Sequence, residues 1–115
     1  MVLTEAPAVT WNVNSNFTYS VSDNLTYPNI IVLSGYSITI SNAVMKMKAN
    51  ALITVKNGAS LIVDGGTLQD ANIIVEAGGN LSLCNNGTIE LSQNGQFSTE
   101  NGAFVNIQNG EIIPY

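Results

Sequence analysis

Glu76 and Glu100 are the only acidic residues that the repeat spacing would set side by side. Each stands two residues before a glycine, Gly78 and Gly102, and Lys56 stands two before Gly58. If those glycines stack in successive layers of a sheet, the two carboxylates lie about 5–6 Å apart. That is close to the acid–nucleophile separation of a retaining glycosidase. The position argues against such chemistry. A residue beside a tight turn sits on a convex, wet corner, and without long loops no cleft excludes water or holds a sugar. Solvated corner charges are therefore the expectation, with an adventitious cation as the lesser alternative.

The remaining reactive groups are few. There is no His and no Arg, so the usual neutral-pH base and the commonest metal ligand are missing. The cations are Lys46, Lys48 and Lys56, and the first two read as a solvated strand edge. The other acids, Glu5, Asp23, Asp64, Asp70, Glu90 and Glu111, form no regular ladder of the kind that binds calcium in nonapeptide rolls. Cys84 is alone and cannot make an internal disulfide or a Cys-based zinc site. A net charge of −5 excludes a phosphate-binding surface, which needs clustered cations. The expectation is no enzyme, no metal, no cofactor and no nucleic-acid partner.

The elements that carry these residues follow from composition and spacing. The chain has 115 residues, 45% of them hydrophobic and only 10% charged. That suits one domain with a real core and argues against disorder. No apolar run approaches the roughly 18 residues of a membrane-crossing helix, and the N-terminus lacks the basic flank of a signal peptide. An exported protein would then have lost its signal already. Asn-Gly or Gly-Gly pairs at 57–58, 65–66, 78–79, 86–87, 94–95, 101–102 and 109–110 mark turns. Short alternating apolar stretches lie between them, with no helical periodicity.

The pattern Φ-x-Φ-x-x-G-x-x-Φ-x-Φ recurs, where Φ is apolar or Thr. Its copies are Ile30, Val32, Gly35, Ile38, Ile40; Ile53, Val55, Gly58, Leu61, Val63; Ile73, Val75, Gly78, Leu81, Leu83; and Phe97, Thr99, Gly102, Val105, Ile107. An upstream copy reads Val9, Trp11, Asn14, Phe17, Tyr19, with Asn in the turn position. A third short strand follows each copy, carried by Leu25 and Tyr27, Met45 and Met47, Leu68, Ile89 and Leu91, and Ile112. The reading is an all-β, single-stranded parallel β-helix (β-solenoid). It has about five coils of 20–24 residues, each with three short strands. Residues 1–8 are expected to be an N-terminal cap or an appended segment, and 9–115 the solenoid domain. Alternation sends one inward column through Val9, Ile30, Ile53, Ile73 and Phe97. A second runs through Tyr19, Ile40, Val63, Leu83 and Ile107. The competing fold is a β-sandwich, which needs neither equal spacing nor columns of like residues.

The run Asn57-Gly58-Ala59-Ser60-Leu61-Ile62-Val63-Asp64-Gly65-Gly66-Thr67-Leu68 resembles the repeats of bacterial secreted and cell-surface parallel β-helix proteins. It is most similar to adhesin-like surface proteins of the Bacteroidetes type, and the resemblance spans residues 9–113. It implies a secreted or cell-surface location. Enzymes of that fold use an Arg or Lys base with calcium-holding acids, or clustered Asp, and neither set is present here.

The outward columns after the template glycine are small and polar. They read Asn16, Ser37, Ser60, Asn80, Phe104; Thr18, Thr39, Ile62, Ser82, Asn106; and Ser20, Ser41, Asp64, Cys84, Gln108. Asn16, Thr18, Ser37, Thr39, Ser41, Ser60, Asp64, Asn80, Ser82 and Asn106 are the candidate ligand-binding residues of a flat face. Sequons at Asn16, Asn24, Asn80 and Asn86 are expected from the composition alone. The leading functional expectation is a non-catalytic structural or presentation segment of a secreted or surface protein, whose open coil end either continues into further coils of a longer protein or pairs end to end with another copy. One alternative is a module binding polysaccharide or ice on the flat face. The other is a non-catalytic fragment of a polysaccharide-degrading β-helix enzyme.

Overall fold

The computed structural model describes residues 9–23, 25–93 and 95–115. Among the described residues it contains fifteen strands and no helix. Strands β1 (Trp11–Val13), β4 (Ile30–Val32), β7 (Ile53–Val55), β10 (Ile73–Val75) and β13 (Phe97–Thr99) form the first parallel sheet, in that order. The second sheet joins β2 (Phe17–Tyr19), β5 (Ser37–Ser41), β8 (Ser60–Asp64), β11 (Asn80–Cys84) and β14 (Phe104–Ile107). The third joins β3 (Thr26–Tyr27), β6 (Val44–Met47), β9 (Thr67–Ala71), β12 (Gly87–Leu91) and β15 (Gly110–Ile113). Every third strand therefore returns to the same sheet one layer higher, which is a β-solenoid of three strands per coil.

Burial alternates along the strands as a one-face-in chain demands. Leu61, Val63, Leu81 and Leu83 are at most 1% exposed, while Ser60, Ile62, Ser82 and Cys84 between them are half-buried on the outer face. Like stacks on like, as Ile38↔Leu61↔Leu81↔Val105 and Ile40↔Val63↔Leu83↔Ile107. As far as Leu81 and Leu83 these columns belong to one continuous core, which also takes in Tyr27, Met45, Leu68 and Ile89 of the third sheet; Val105 and Ile107 at the last coil lie outside it, 41% and 47% exposed.

The first coil departs from the expected register. Trp11, not Val9, pairs with Ile30, and Val13 pairs with Val32. Val9 is 75% exposed and no part of the inward column. The cause is a corner two residues shorter than its counterparts. Val13 to Phe17 covers four positions, whereas Val32 to Ile38 covers six. This shorter corner closes without a left-handed residue, so Asn14 does not replace the turn glycine. The expected cap at 1–8 and the sequon at Asn24 lie outside the described residues.

The corner between the first and second sheets is otherwise uniform. Leu33, Lys56, Glu76 and Glu100 each accept a hydrogen bond from the backbone N–H three residues on. The third residue of each turn, Gly35, Gly58, Gly78 or Gly102, has φ between 78° and 97°. That is the type II arrangement, and it selects glycine. The glycines also hydrogen-bond one another up the stack, Gly35 N–H to Gly58, Gly58 to Gly78, and Gly78 to Gly102.

The corner between the second and third sheets is set by close approach. Gly87 lies so near the Val63 carbonyl that an added Cβ would clash with it. Ala43, Gly66, Gly87 and Gly110 form a column of small residues there, fixed by the pairings of the strands they adjoin.

The register makes a direct prediction. Leu81→Asp places an unpaired charge in the core at a cost of several kcal/mol, whereas Ser82→Asp one residue away faces solvent. Thermal unfolding followed by circular dichroism should show the first variant unfolded and the second close to wild type. Equal transitions for the two would refute the register.

Candidate functional site

The second sheet carries all ten candidate residues on its outer face or at the edge of it. Ser37, Ser60 and Asn80 stack in one column, Thr39, Ile62, Ser82 and Asn106 in the next, and Ser41 and Asp64 in the third. Thr18 is paired with Thr39. Asn16 is an exposed corner residue whose Oδ1 accepts from the Ser37 N–H (3.1 Å) and the Ser37 hydroxyl (3.3 Å). It thereby extends the column across a position where the backbone ladder has ended. Asn80 Nδ2 donates to the Ala59 carbonyl at 3.4 Å, and Asp64 accepts from Asn85 Nδ2 at 2.7 Å. Among the described residues, the side chains of Thr18, Thr39, Ser41, Ser60, Ser82 and Asn106 make no hydrogen bond to protein. Neighbouring coils repeat every ~4.8 Å and same-face residues every ~6.7 Å along a strand. The face is thus a lattice of small donors and acceptors. Ile62 interrupts it in the middle, and Phe104 stands 61% exposed at one end.

The two stacked glutamates are committed to the coil below. Glu76 pairs with Lys56 Nζ at 3.2 Å, both side chains partly exposed. Glu100 Oε1 accepts from the Ala77 N–H at 3.0 Å. An exposed pair of this kind contributes at most about 1 kcal/mol, so its effect is chiefly to orient the corner. Cys84 is a free, half-buried thiol, and burial together with the nearby Asp64 carboxylate pushes its pKa up. It is a thiol rather than a thiolate at neutral pH.

Two constellations carried no readable signal in the sequence. The first is Tyr19, Asp23 and Tyr27 in the first coil. Asp23 accepts from the Tyr19 hydroxyl at 2.7 Å, the Tyr27 hydroxyl at 2.5 Å and the Leu25 N–H at 3.0 Å. Burial alone would raise the Asp23 pKa. The bonds from Tyr27, Tyr19 and Leu25 outweigh it and hold the carboxyl below the usual aspartate value. Burial, reinforced by the carboxylate, pushes both tyrosines upward. Trp11 packs edge-on against Phe17 at 5.0 Å and lies 5.9 Å from Tyr27, so the first coil is filled by aromatic rings. Spacing shows a Tyr four residues either side of Asp23, but only the folded corner turns both hydroxyls onto one carboxylate.

The second is the corner between the third and first sheets. From Leu25 to Ile30 the inward positions are five residues apart, and from Met45 to Ile53 they are eight. They are five again from Leu68 to Ile73, and eight from Ile89 to Phe97. Long corners therefore alternate with short ones, and each short corner becomes the floor of a groove.

None of the family models, curated proteins and solved structures compared with the chain matches it.

The Asp23 cluster sets a pH dependence. A lowered carboxyl pKa stabilises the fold above the ordinary aspartate value near 3.8. That contribution disappears as pH falls through the depressed folded value. The raised tyrosine values act in the opposite sense, with stability present below about 10 and lost as pH rises through the folded pKa. Asp23→Asn should cost about 1–2 kcal/mol at neutral pH in denaturant titrations. The gap to wild type should close in strong acid. A gap that does not change with pH would mean that the Asp23 charge is not what the tyrosines stabilise.

Proposed function

We propose that this chain is a non-catalytic structural segment of a secreted or cell-surface protein, serving to extend, space or present other parts. One observation carries the proposal: all three sheets continue in parallel register through five coils. Such a stack is stiff along its axis, because bending it must stretch three hydrogen-bonded ladders together. Charge is sparse, at 10% of residues, and the stacked carboxylates of Glu76 and Glu100 are engaged in holding coils together. The similarity of the Asn57–Leu68 run to surface-protein repeats supports the location.

A second reading assigns the flat face of the second sheet to polysaccharide or ice. It is favoured by the hydroxyls of Thr18, Thr39, Ser60 and Ser82, which have no protein partner among the described residues. A glycan array and an ice-recrystallisation assay on wild type and Thr39→Lys separate the two. The structural role predicts no signal that Thr39→Lys abolishes. A reproducible ligand lost in that variant would establish the flat face as a binding surface.

We also propose that the coil ends support self-association. Strands β13, β14 and β15 stand at one end of their sheets, with one strand edge each unpaired among the described residues. There the inward columns surface as Val105 and Ile107, 41% and 47% exposed, while Leu81 and Leu83 beneath them are fully buried. Apolar surface and unpaired edges together form a template for another strand layer. Static light scattering over a concentration series should show mass rising with concentration, and Ile107→Lys should suppress the rise. A particle that stays monomeric throughout would overturn this part of the proposal.

A further inference from the structure

The alternating corner suggests a binding site independent of the spacer role and of the flat face. The long corner after β6 and the long corner after β12 project on either side of the short corner after β9. Between them lies a groove of about 420 Å³ lined by Ala49, Asn50, Asp70, Ser92, Gln93 and Tyr115. That volume falls within the range of small-molecule sites. A rigid sheet edge forms the floor and two loops form the walls, the usual way a solenoid acquires a local function without disturbing its stack.

The floor is built in a way that points Asp70 outward. β9 and β12 pair regularly at Leu68↔Ile89 and then shift, so that Ala71 meets Leu91. Asp70 is the extra residue of this bulge and has φ 57°. The bulge keeps Leu68 and Ala71 buried and turns Asp70 out to solvent. Asn50, on the facing wall, is also left-handed, at φ 62°. Among the described residues, the side chains of Asn50, Asp70 and Gln93 make no hydrogen bond to protein. Ser92 accepts from Asn72 Nδ2 at 3.0 Å, which leaves its own proton free to be donated.

We propose that this groove binds a neutral saccharide. A carboxylate is an acceptor of unusual strength for hydroxyl donors. Two primary amides supply donors and acceptors together, and the serine adds one more donor. Tyr115 also lines the groove and is 81% exposed, which leaves its ring accessible to the C–H side of a sugar. The charges select the class. Among the described lining residues there is no lysine and Asp70 is the one ionised side chain, so an anionic ligand would be repelled. Among the described residues no three His, Cys, Asp or Glu side chains gather, so the groove lacks the carboxylate cluster that a divalent cation prefers. A polyol satisfies every group present without importing charge.

The test uses the full chain on an array of neutral oligosaccharides, followed by calorimetric titration of the best-bound glycan. Asp70→Asn is the central variant, because asparagine adopts the left-handed conformation readily and keeps the bulge while removing the charge. The expected result is saturable binding weakened about tenfold or more by Asp70→Asn, the loss of one charge-assisted hydrogen bond. Gln93→Ala, on the opposite wall, should weaken it as well, and Thr39→Lys on the flat face should leave it unchanged. Thermal unfolding checks that each variant folds. If Asp70→Asn fails to fold, Gln93→Ala decides. Absence of binding to any neutral glycan, or binding indifferent to Asp70→Asn and Gln93→Ala, overturns the proposal. Binding abolished by Thr39→Lys alone overturns it too and transfers the ligand to the flat face.

Discussion

Each backbone amide in the sheets bonds one coil away, and the rest of the structure follows from that. A residue's hydrogen-bond partner is fixed by the length of a whole coil, not by a local turn. Three corners must therefore bring the chain back in phase each time, or one inward column becomes an outward one. The side chains are stacked by the same rule. Ile53 lies over Ile30 and under Ile73 because the ladders put them there, and the core is filled by repeating a shape rather than by interlocking different ones.

The corners satisfy this constraint with two kinds of residue. Glycine serves where the chain must turn left-handed, as at Gly58 and Gly78, or where coils nearly touch, as at Gly87. Asparagine serves where the backbone ladder is interrupted. Asn29 Oδ1 accepts from the Leu52 N–H at 2.8 Å, and Asn72 Oδ1 accepts from the Gln96 N–H at 3.1 Å. Asn72 Nδ2 also reaches down to the Ala51 carbonyl. A short amide carries both a donor and an acceptor, so one side chain can stand in for a missing peptide between two coils. The abundance of Asn, 16 residues in 115, has a structural use here before any functional one.

The repeat was legible because its strongest marks are physical necessities. The left-handed glycines at 35, 58, 78 and 102 sit at a fixed distance from the apolar pairs they join, and that corner scarcely changes from coil to coil. The register of the first coil is hidden in the sequence for a reason in the pleat itself. A one-residue slip exchanges the faces of a strand, whereas a two-residue slip leaves them as they were. Val9 and Trp11 alternate as well as Trp11 and Val13 do, so only the shortened corner before Phe17 distinguishes them. The flat polar face was legible by the same alternation. Asp23 and Asp70 were not, because a carboxylate's role depends on what the corner turns toward it. At Asp23 that is two hydroxyls from the preceding and following strands. At Asp70 it is an unpaired groove.

The uneven coil lengths then acquire a meaning. From the second coil on, the corner between the first and second sheets spans six positions each time. The corner between the second and third sheets varies by about one, taken up by Asn85 and Asn86 in left-handed conformations. The larger variation falls at the third corner, where five positions alternate with eight. A stack whose ladders tolerate no phase error can still lengthen a corner, provided the added residues leave the sheet and return to the same point. Those residues meet the neighbouring coils largely through asparagine side chains rather than a regular ladder, as Leu52 does with Asn29 and Gln96 with Asn72, and their side chains are free of the rule that like must lie on like. Variation concentrated where the stacking constraint is weakest is the condition under which a repetitive scaffold can hold a site that does not repeat.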